Sequence, residues 1–200
     1  MQKILVRNFL LASVLLLGGC AGEVIVRDTF PTPVVEPVPY RVGVYYSPRF
    51  QGYVYDNEEN GVSFELGSKQ TALYRTVFEA MFLQTIPVNS TEGSASYGDL
   101  DLILEPVLEE YAFLAPSETA TDFFAVSLKY QIRLYSGSGD LIGYWPFVAY
   151  GKNRTKLVNK NESLGDATSR ALRDAAAALV SQFRTVVITE QWKLPEEASG

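Results

Sequence analysis

The stretch from Val126 to Leu134 alternates without a fault. Val126, Leu128, Tyr130, Ile132 and Leu134 fall on one side, and Ser127, Lys129, Gln131 and Arg133 on the other. Strict period two belongs to a β-strand with one dry and one wet face. Ser136-Gly137-Ser138-Gly139-Asp140 then reads as a turn, and Leu141 to Tyr150 returns as the next strand. Upstream, Leu100, Leu102 and Leu104 alternate with Asp101, Ile103 and Glu105, and after Pro106 the pattern resumes through Val107 and Leu108 to Tyr111 and Phe113. These segments predict an antiparallel meander of long strands whose apolar face must be covered.

Two helical patterns supply the cover. The first is expected from Ser68, as N-cap, with Leu73, Val77, Ala80 and Met81 on one face and Tyr74, Phe78 and Phe82 widening the stripe. Pro87 ends any extension, and Asn89 to Gly98 is a polar loop. The second starts near Ser163, which with Asp166 resembles a capping box. Leu164, Ala167, Ala171, Ala175, Leu179 and Phe183 hold its apolar face, and the alanine run Ala175 to Ala178 allows close approach to a sheet. A first strand over Arg41 to Tyr46 stops at Pro48. Residues 51–55 and 62–66 flank a polar stretch as a hairpin or long ordered loop, and Thr185 to Thr189 predicts a final short strand. At 200 residues, 47% hydrophobic and 20% charged, one domain with a real core is expected over residues 40–189. The economical arrangement is an α+β two-layer sandwich, mainly antiparallel, with two amphipathic helices on one face. Residues 190–200 read as a mobile tail.

The N-terminus is an address. Lys3 and Arg7 precede the apolar run Phe9 to Leu17, which is too short to span a bilayer and has the size of a signal-peptide core. It ends in Leu17-Gly18-Gly19-Cys20. This resembles the lipobox of bacterial lipoproteins, with leucine three residues before a cysteine and small residues between. The resemblance implies cleavage after residue 19, a diacylglyceryl group on the Cys20 thiol and an acyl chain on its freed amine. A membrane partner through that anchor follows, since several chains anchor stably where one does not. Ala21 stands where an aspartate commonly retains proteobacterial lipoproteins in the inner membrane, so the resemblance implies the outer membrane with the body in the periplasm. Removing residues 1–19 leaves 15 basic against 23 acidic residues, a formal charge of −8. That excess disfavours close contact with anionic headgroups. From residue 20 to Pro39 the chain carries Pro31, Pro33, Pro37 and Pro39 and reads as an extended tether. Fully extended it would reach about 60 Å, although Val34 and Val35 favour packing of part of it along the domain.

The rest of the domain also resembles Gram-negative envelope lipoproteins. The carriers are RVGVYYSP at 41–48, SKQTALYRTVFEAMF at 68–82, VSLKYQIRLYSGSGDLIGYW at 126–145 and the late alanine-rich helix. The class includes YajG-like lipoproteins, auxiliary lipoproteins of ABC-type transporters, and domains related to the curli-secretion lipoprotein and the amino-terminal domain of TolB. The resemblance implies the fold and a general accessory role, and it assigns no binding residues.

Chemistry is constrained mainly by what the chain lacks. It has no histidine, and its single cysteine is Cys20, which leaves no histidine triad, no histidine-ligated metal and no internal disulfide. Glu109 and Glu110, as neighbours on a strand, are expected to face opposite ways, so they make no carboxylate pair around one substrate. Glu58 and Glu59 belong to a polar loop. Asp99, Asp101 and Glu105 alternate with leucines as the outer side of a strand rather than as a calcium loop. No catalytic residue, metal or cofactor is expected beyond the lipid on Cys20. The acidic balance argues against nucleic-acid binding.

Aromatic residues are the remaining signal, with twelve tyrosines and eleven phenylalanines. Tyr45, Tyr53, Tyr55, Tyr111, Phe113, Tyr135, Tyr144 and Tyr150 are candidates for an exposed partner-binding surface, because a tyrosine ring buries area while its hydroxyl stays wet. Burial of that sheet face by the tether, hairpin or tail is the equal alternative. Edge strands offer a second mode, by strand addition. The expected function is a non-catalytic accessory or assembly subunit of an envelope transport, secretion or surface-appendage machine, with an envelope protein as partner. The competing expectation is a periplasmic carrier of a lipid or other hydrophobic ligand.

Overall fold

The computed structural model describes residues 24–27, 29–59, 61–92, 99–155 and 159–188, with side chains through Phe183. The strands are β1 (Val38–Tyr45), β2 (Val54–Asn57), β3 (Val62–Glu65), β4 (Phe82–Val88), β5 (Leu102–Leu114), β6 (Phe123–Ser136) and β7 (Leu141–Arg154). The helices are α1 (Pro48–Gln51), α2 (Gly67–Met81) and α3 (Lys160–Ile188). The expected meander forms: β5, β6 and β7 pair antiparallel in sequence, with Tyr130 opposite both Leu108 and Phe147. The five-stranded sheet has the order β4-β1-β5-β6-β7, and β2 and β3 make a separate hairpin. The result is the α+β two-layer sandwich.

The sheet contains a strand that the sequence pattern does not predict. Residues 82–88 are β4, which pairs parallel with β1, and β1 in turn pairs parallel with β5 at Val42 to Val44. A parallel neighbour needs a crossover, and α2 is that crossover. Phe82 therefore opens a strand instead of closing a helix: its φ of −120° and ψ of 148° are extended, and its N–H donates to the Phe78 carbonyl. Its ring meets Phe183 of α3 at 5.1 Å, edge to face. Pro87 lies within β4, where an edge strand tolerates it.

Both helix starts differ from expectation for packing reasons. The α2 helix begins at Gly67, and no side chain caps it. The Tyr53 carbonyl accepts from the N–H groups of both Leu66 and Gly67, so backbone performs the capping. A Cβ at Gly67 would overlap the Gln51 carbonyl, which ties this entry to a close backbone crossing. The α3 helix begins three residues before Ser163, with the Asn159 side chain accepting from Glu162 N–H at 3.0 Å. Ser163 is instead buried, and its hydroxyl donates to the Asn159 carbonyl.

The end of α3 also differs. Residues 185–188 remain helical in place of the expected strand, and Thr189 lies outside the described residues. Each β-branched residue costs a helix only a few tenths of a kcal/mol, and extending an existing helix needs no new nucleus.

The core lies between the sheet and the helices. Val126, Leu128, Tyr130, Ile132 and Leu134 point into it, as the alternation requires, and meet α2 and α3. Gly151 lies against the backbone of Ala167 and Ala171, where any Cβ would overlap α3. Val24 and Val26, upstream of the proline-rich run, are also buried in this core, while Val34 is fully exposed. Part of the stretch before the domain does pack along it, but at Val24 and Val26 and not at Val34: residues 24–27 are a strap on α3. The Arg27 N–H donates to Ser169 Oγ at 2.9 Å, and its guanidinium pairs with Asp166 at 3.5 Å.

Candidate functional site

The helices cover one side of the sheet, and the other side sorts into three zones. At the upper end, Gly43 leaves room for Leu100, Val88 and Ile103, and Ile103 is fully buried there. That end of the second face is therefore dry, contrary to the simple alternation.

The middle is a ladder of charge. Glu105 accepts from the Tyr135 hydroxyl at 2.8 Å and from Arg133 at 3.4 Å. Tyr135 is consequently half-buried, and its hydroxyl is pushed to higher pKa by desolvation and by the Glu105 contact. Lys129 pairs with Glu109 at 3.2 Å and stands opposite Glu110 in register.

Glu109 and Glu110 contradict the expectation that they diverge. The register shifts between Leu108 and Glu110, and both carboxylates are exposed while the flanking Leu108 and Tyr111 are buried. A β-bulge places two residues opposite one and breaks the alternation. Lys129 sits beside this pair, so it reads as an ion-pair cluster at the surface. The sequence held a signal for it: the apolar side runs Leu102, Leu104, Leu108 and then Tyr111, Phe113, a switch from even to odd positions.

The third zone is the outer side of β7. Trp145, Phe147 and Ala149 point into the core, so Tyr144, Pro146, Val148 and Tyr150 project the other way. All four are exposed, Tyr144 at 67% and Tyr150 at 65%. Leu141 and Ile142 extend the apolar stripe, and Leu114 adds to the exposed apolar surface from the end of β5.

The other candidate aromatics fare differently. Tyr111 is buried, a correction to its expected exposure, because the β2–β3 hairpin folds over the lower half of β5. Tyr55 lies 4.6 Å from the Tyr111 ring and 5.5 Å from Phe64, and Phe113 joins at 5.9 Å. The Tyr111 hydroxyl shares a 2.8 Å hydrogen bond with Thr168, and burial pushes its pKa well above 10. Tyr55 and Phe113 are therefore half-buried components of an aromatic cluster. Tyr53 packs partly on the core, and Tyr45 is half-buried at the end of β1. Tyr144 and Tyr150 are the two of the eight that the fold leaves open.

Strand addition is opposed at the β7 edge. The Tyr150 N–H faces away from β6 and donates to Asp174 of α3 at 2.8 Å. Pro146 shares that parity, so where the next but one outward N–H would stand there is none. What β7 leaves open is thus its face and not its edge.

A second concavity lies between α2 and the β1–β4 edge. It is a groove of about 360 Å³ lined by Val44, Tyr46, Phe78, Ile86 and Pro87, with Arg75 and Glu79 at its rim. Desolvation pushes the Tyr46 hydroxyl far above its ordinary pKa, with Arg75 opposing and Glu79 reinforcing the shift. Among the described residues no group of three or more histidine, cysteine, aspartate or glutamate side chains is placed to hold a metal ion. No described helix is long and apolar enough to cross a membrane. Leu17, Gly18, Gly19, Cys20 and Ala21 lie outside the described residues.

No family model matches the chain, and no curated protein matches it. Solved structures do. Protein XCC0632 from Xanthomonas campestris, of family DUF330, aligns with TM-score 0.52 at 12% identity over 82% of this chain and 94% of its own. A minor lipoprotein from Acinetobacter baumannii aligns with TM-score 0.45 at 11% identity, over 75% and 94%. The rare lipoprotein B from Shewanella oneidensis gives 0.43 at 8% identity, over 76% and 99%. At such identities the first match shows a shared fold and nothing of shared chemistry.

Proposed function

We propose that this chain is an outer-membrane lipoprotein, acylated at Cys20, whose periplasmic domain docks an envelope protein on the outer side of β7 and catalyses nothing. The observation that carries the reading is the exposed row Tyr144, Pro146, Val148 and Tyr150 on a rigid strand, beside a charge ladder. Exposed tyrosines flanked by charge suit a polar-rimmed protein interface. The strand is held rigid from behind: Phe147 packs on Tyr130 at 5.7 Å, and the Trp145 indole donates to Gln182 of α3 at 2.7 Å. A surface so backed loses little entropy on binding.

The test is purification of the lipidated chain from its own membranes in mild detergent, as wild type and as Tyr144→Asp/Tyr150→Asp. A stoichiometric envelope protein with the wild type that is lost with the variant is the expected outcome. Its retention by a folded variant refutes the docking face.

The carrier reading draws its support from the groove beside α2, whose apolar walls and rim arginine suit a short acyl chain with an acidic head. Its volume lies at the low end for ligand sites. Native mass spectrometry of the unlipidated domain decides it, since a carrier retains acyl mass that Arg75→Glu removes.

A further inference from the structure

The strap at residues 24–27 has a direction. Ile25 lies on Gly165 of α3, where a Cβ would overlap the Ile25 carbonyl oxygen, and Arg27 reaches Asp166 and Ser169 further along the helix. Followed backwards, the chain therefore runs towards the start of α3. That end of the molecule also holds the β5–β6 connection and the end of β7: Arg154 pairs with Asp122, and Asn153 donates to Asp166. Cys20 is four residues before Val24, a span of at most about 14 Å.

We infer that the domain stands directly on the membrane with the end formed by the start of α3 and the Ala115–Asp122 connection against phospholipid headgroups. It does not hang at the end of a long tether. This placement rests on the anchoring of Cys20 proposed above. The number of residues before the strap limits it: with Val24 and Val26 buried in the core, the proline-rich run lies downstream of the strap and adds no reach towards the bilayer.

The distribution of charge agrees. The net −8 of the mature chain would oppose contact with anionic lipid if it were spread evenly. At the anchor end, however, Arg27, Lys152, Arg154 and Lys160 stand with Glu118, Asp122, Glu162 and Asp166, so these charges balance among the described residues. The opposite end, around the 136–140 turn, carries Glu92, Asp99, Asp101 and Asp140, with Arg41 bonded through its N–H to Asp101. Repulsion from an anionic leaflet thus turns the acidic end away. The placement also stands β7 upright, with Tyr144 above Tyr150 and both facing sideways into the periplasm.

The test uses the full lipidated chain in vesicles of phosphatidylethanolamine and phosphatidylglycerol containing a headgroup-nitroxide lipid. Cys20 is the one natural cysteine, so Ala120→Cys and Ser138→Cys each provide a unique thiol for a fluorophore. Strong quenching at position 120 and none at 138, about 40 Å away along the strands, is the expected result. Gly165→Ala, which displaces the strap while favouring the helix, should abolish quenching at 120 with the acyl mass on Cys20 unchanged. An acylated protein quenched equally at both positions, or quenched at neither, overturns the placement alone. Quenching at 120 that survives Gly165→Ala overturns the role of the strap. Absence of acyl mass on Cys20 overturns the anchor and the placement together.

Discussion

The two faces of β6 and β7 share a backbone but differ in what their side chains do. On the inner face, Leu128, Tyr130, Ile132, Phe147 and Ala149 are buried under helices that contribute Leu73, Tyr74, Val77, Phe78, Leu172 and Leu179 among others to the same core. On the outer face, Lys129, Arg133, Tyr144, Val148 and Tyr150 either pair with charges or stand in solvent. Stability therefore resides on the inner side, and the proposed docking row stands on the other, so mutations should separate cleanly by face.

The largest effect comes from pH. Burial pushes the hydroxyl pKa values of Tyr74, Tyr111 and Tyr130 well above the ordinary 10. Below pH 10 both folded and unfolded states keep these hydroxyls protonated, and their stabilising contribution is complete. Above 10 the unfolded chain ionises first, so each further pH unit removes up to about 1.4 kcal/mol per tyrosine. Together the three remove a typical domain's margin within about two pH units. Tyrosinate absorbance and circular dichroism should change in a single step; ionisation of all tyrosines with the fold intact would contradict this burial.

Next in size is Leu128→Ala on the inner face, which should cost about 2–5 kcal/mol in denaturant titration because the packed layers cannot close the space. Tyr74→Phe runs the other way. The Tyr74 hydroxyl is buried with no hydrogen-bond partner among the described residues. Removing it should raise stability by about 1 kcal/mol or more, since an unsatisfied buried hydroxyl costs about 1–3 kcal/mol. A loss instead would mean that the hydroxyl is satisfied by water or a ligand. The smallest effect is on the outer face: Tyr150→Ser should move the unfolding midpoint by no more than about 0.5 kcal/mol equivalent, while weakening retention of the envelope protein proposed to dock there.

The meander was legible because its signals are local. Period two in β6, the Ser-Gly turn and the helical spacing of Leu164 to Phe183 are each contained within a few turns of chain. β4 was not legible. Its seven residues show no clean alternation, and its partner β1 is some forty residues away. The candidate binding row was half legible: Tyr144 and Tyr150 followed from the alternation of β7, but Tyr55, Tyr111 and Phe113 obeyed the same logic and were covered. Nothing in residues 54–65 says that their hairpin will lie on β5.

The strap carries the same lesson. The proline content of residues 31–39 reads as a spacer and Val34 and Val35 as its packed part, yet Val24 and Val26 are the valines that are buried, and Val34 is exposed. Their burial depends on Gly165 having no side chain and on Ser169 offering an acceptor, both about 140 residues away.

By itself the amino-acid order determined the three long antiparallel strands, the two covering helices, a chain without histidine and with one cysteine, and a lipobox-like run at Leu17 to Cys20. Periodicity, propensity and composition act within a residue's own neighbourhood. Tertiary structure decided the parallel addition of β4 and β1, the bulge that turns Glu109 and Glu110 the same way, the aromatics left exposed, and the return of the N-terminal strap onto α3. Each of those depends on which distant surface removes a side chain from water, and that is settled when the layers close.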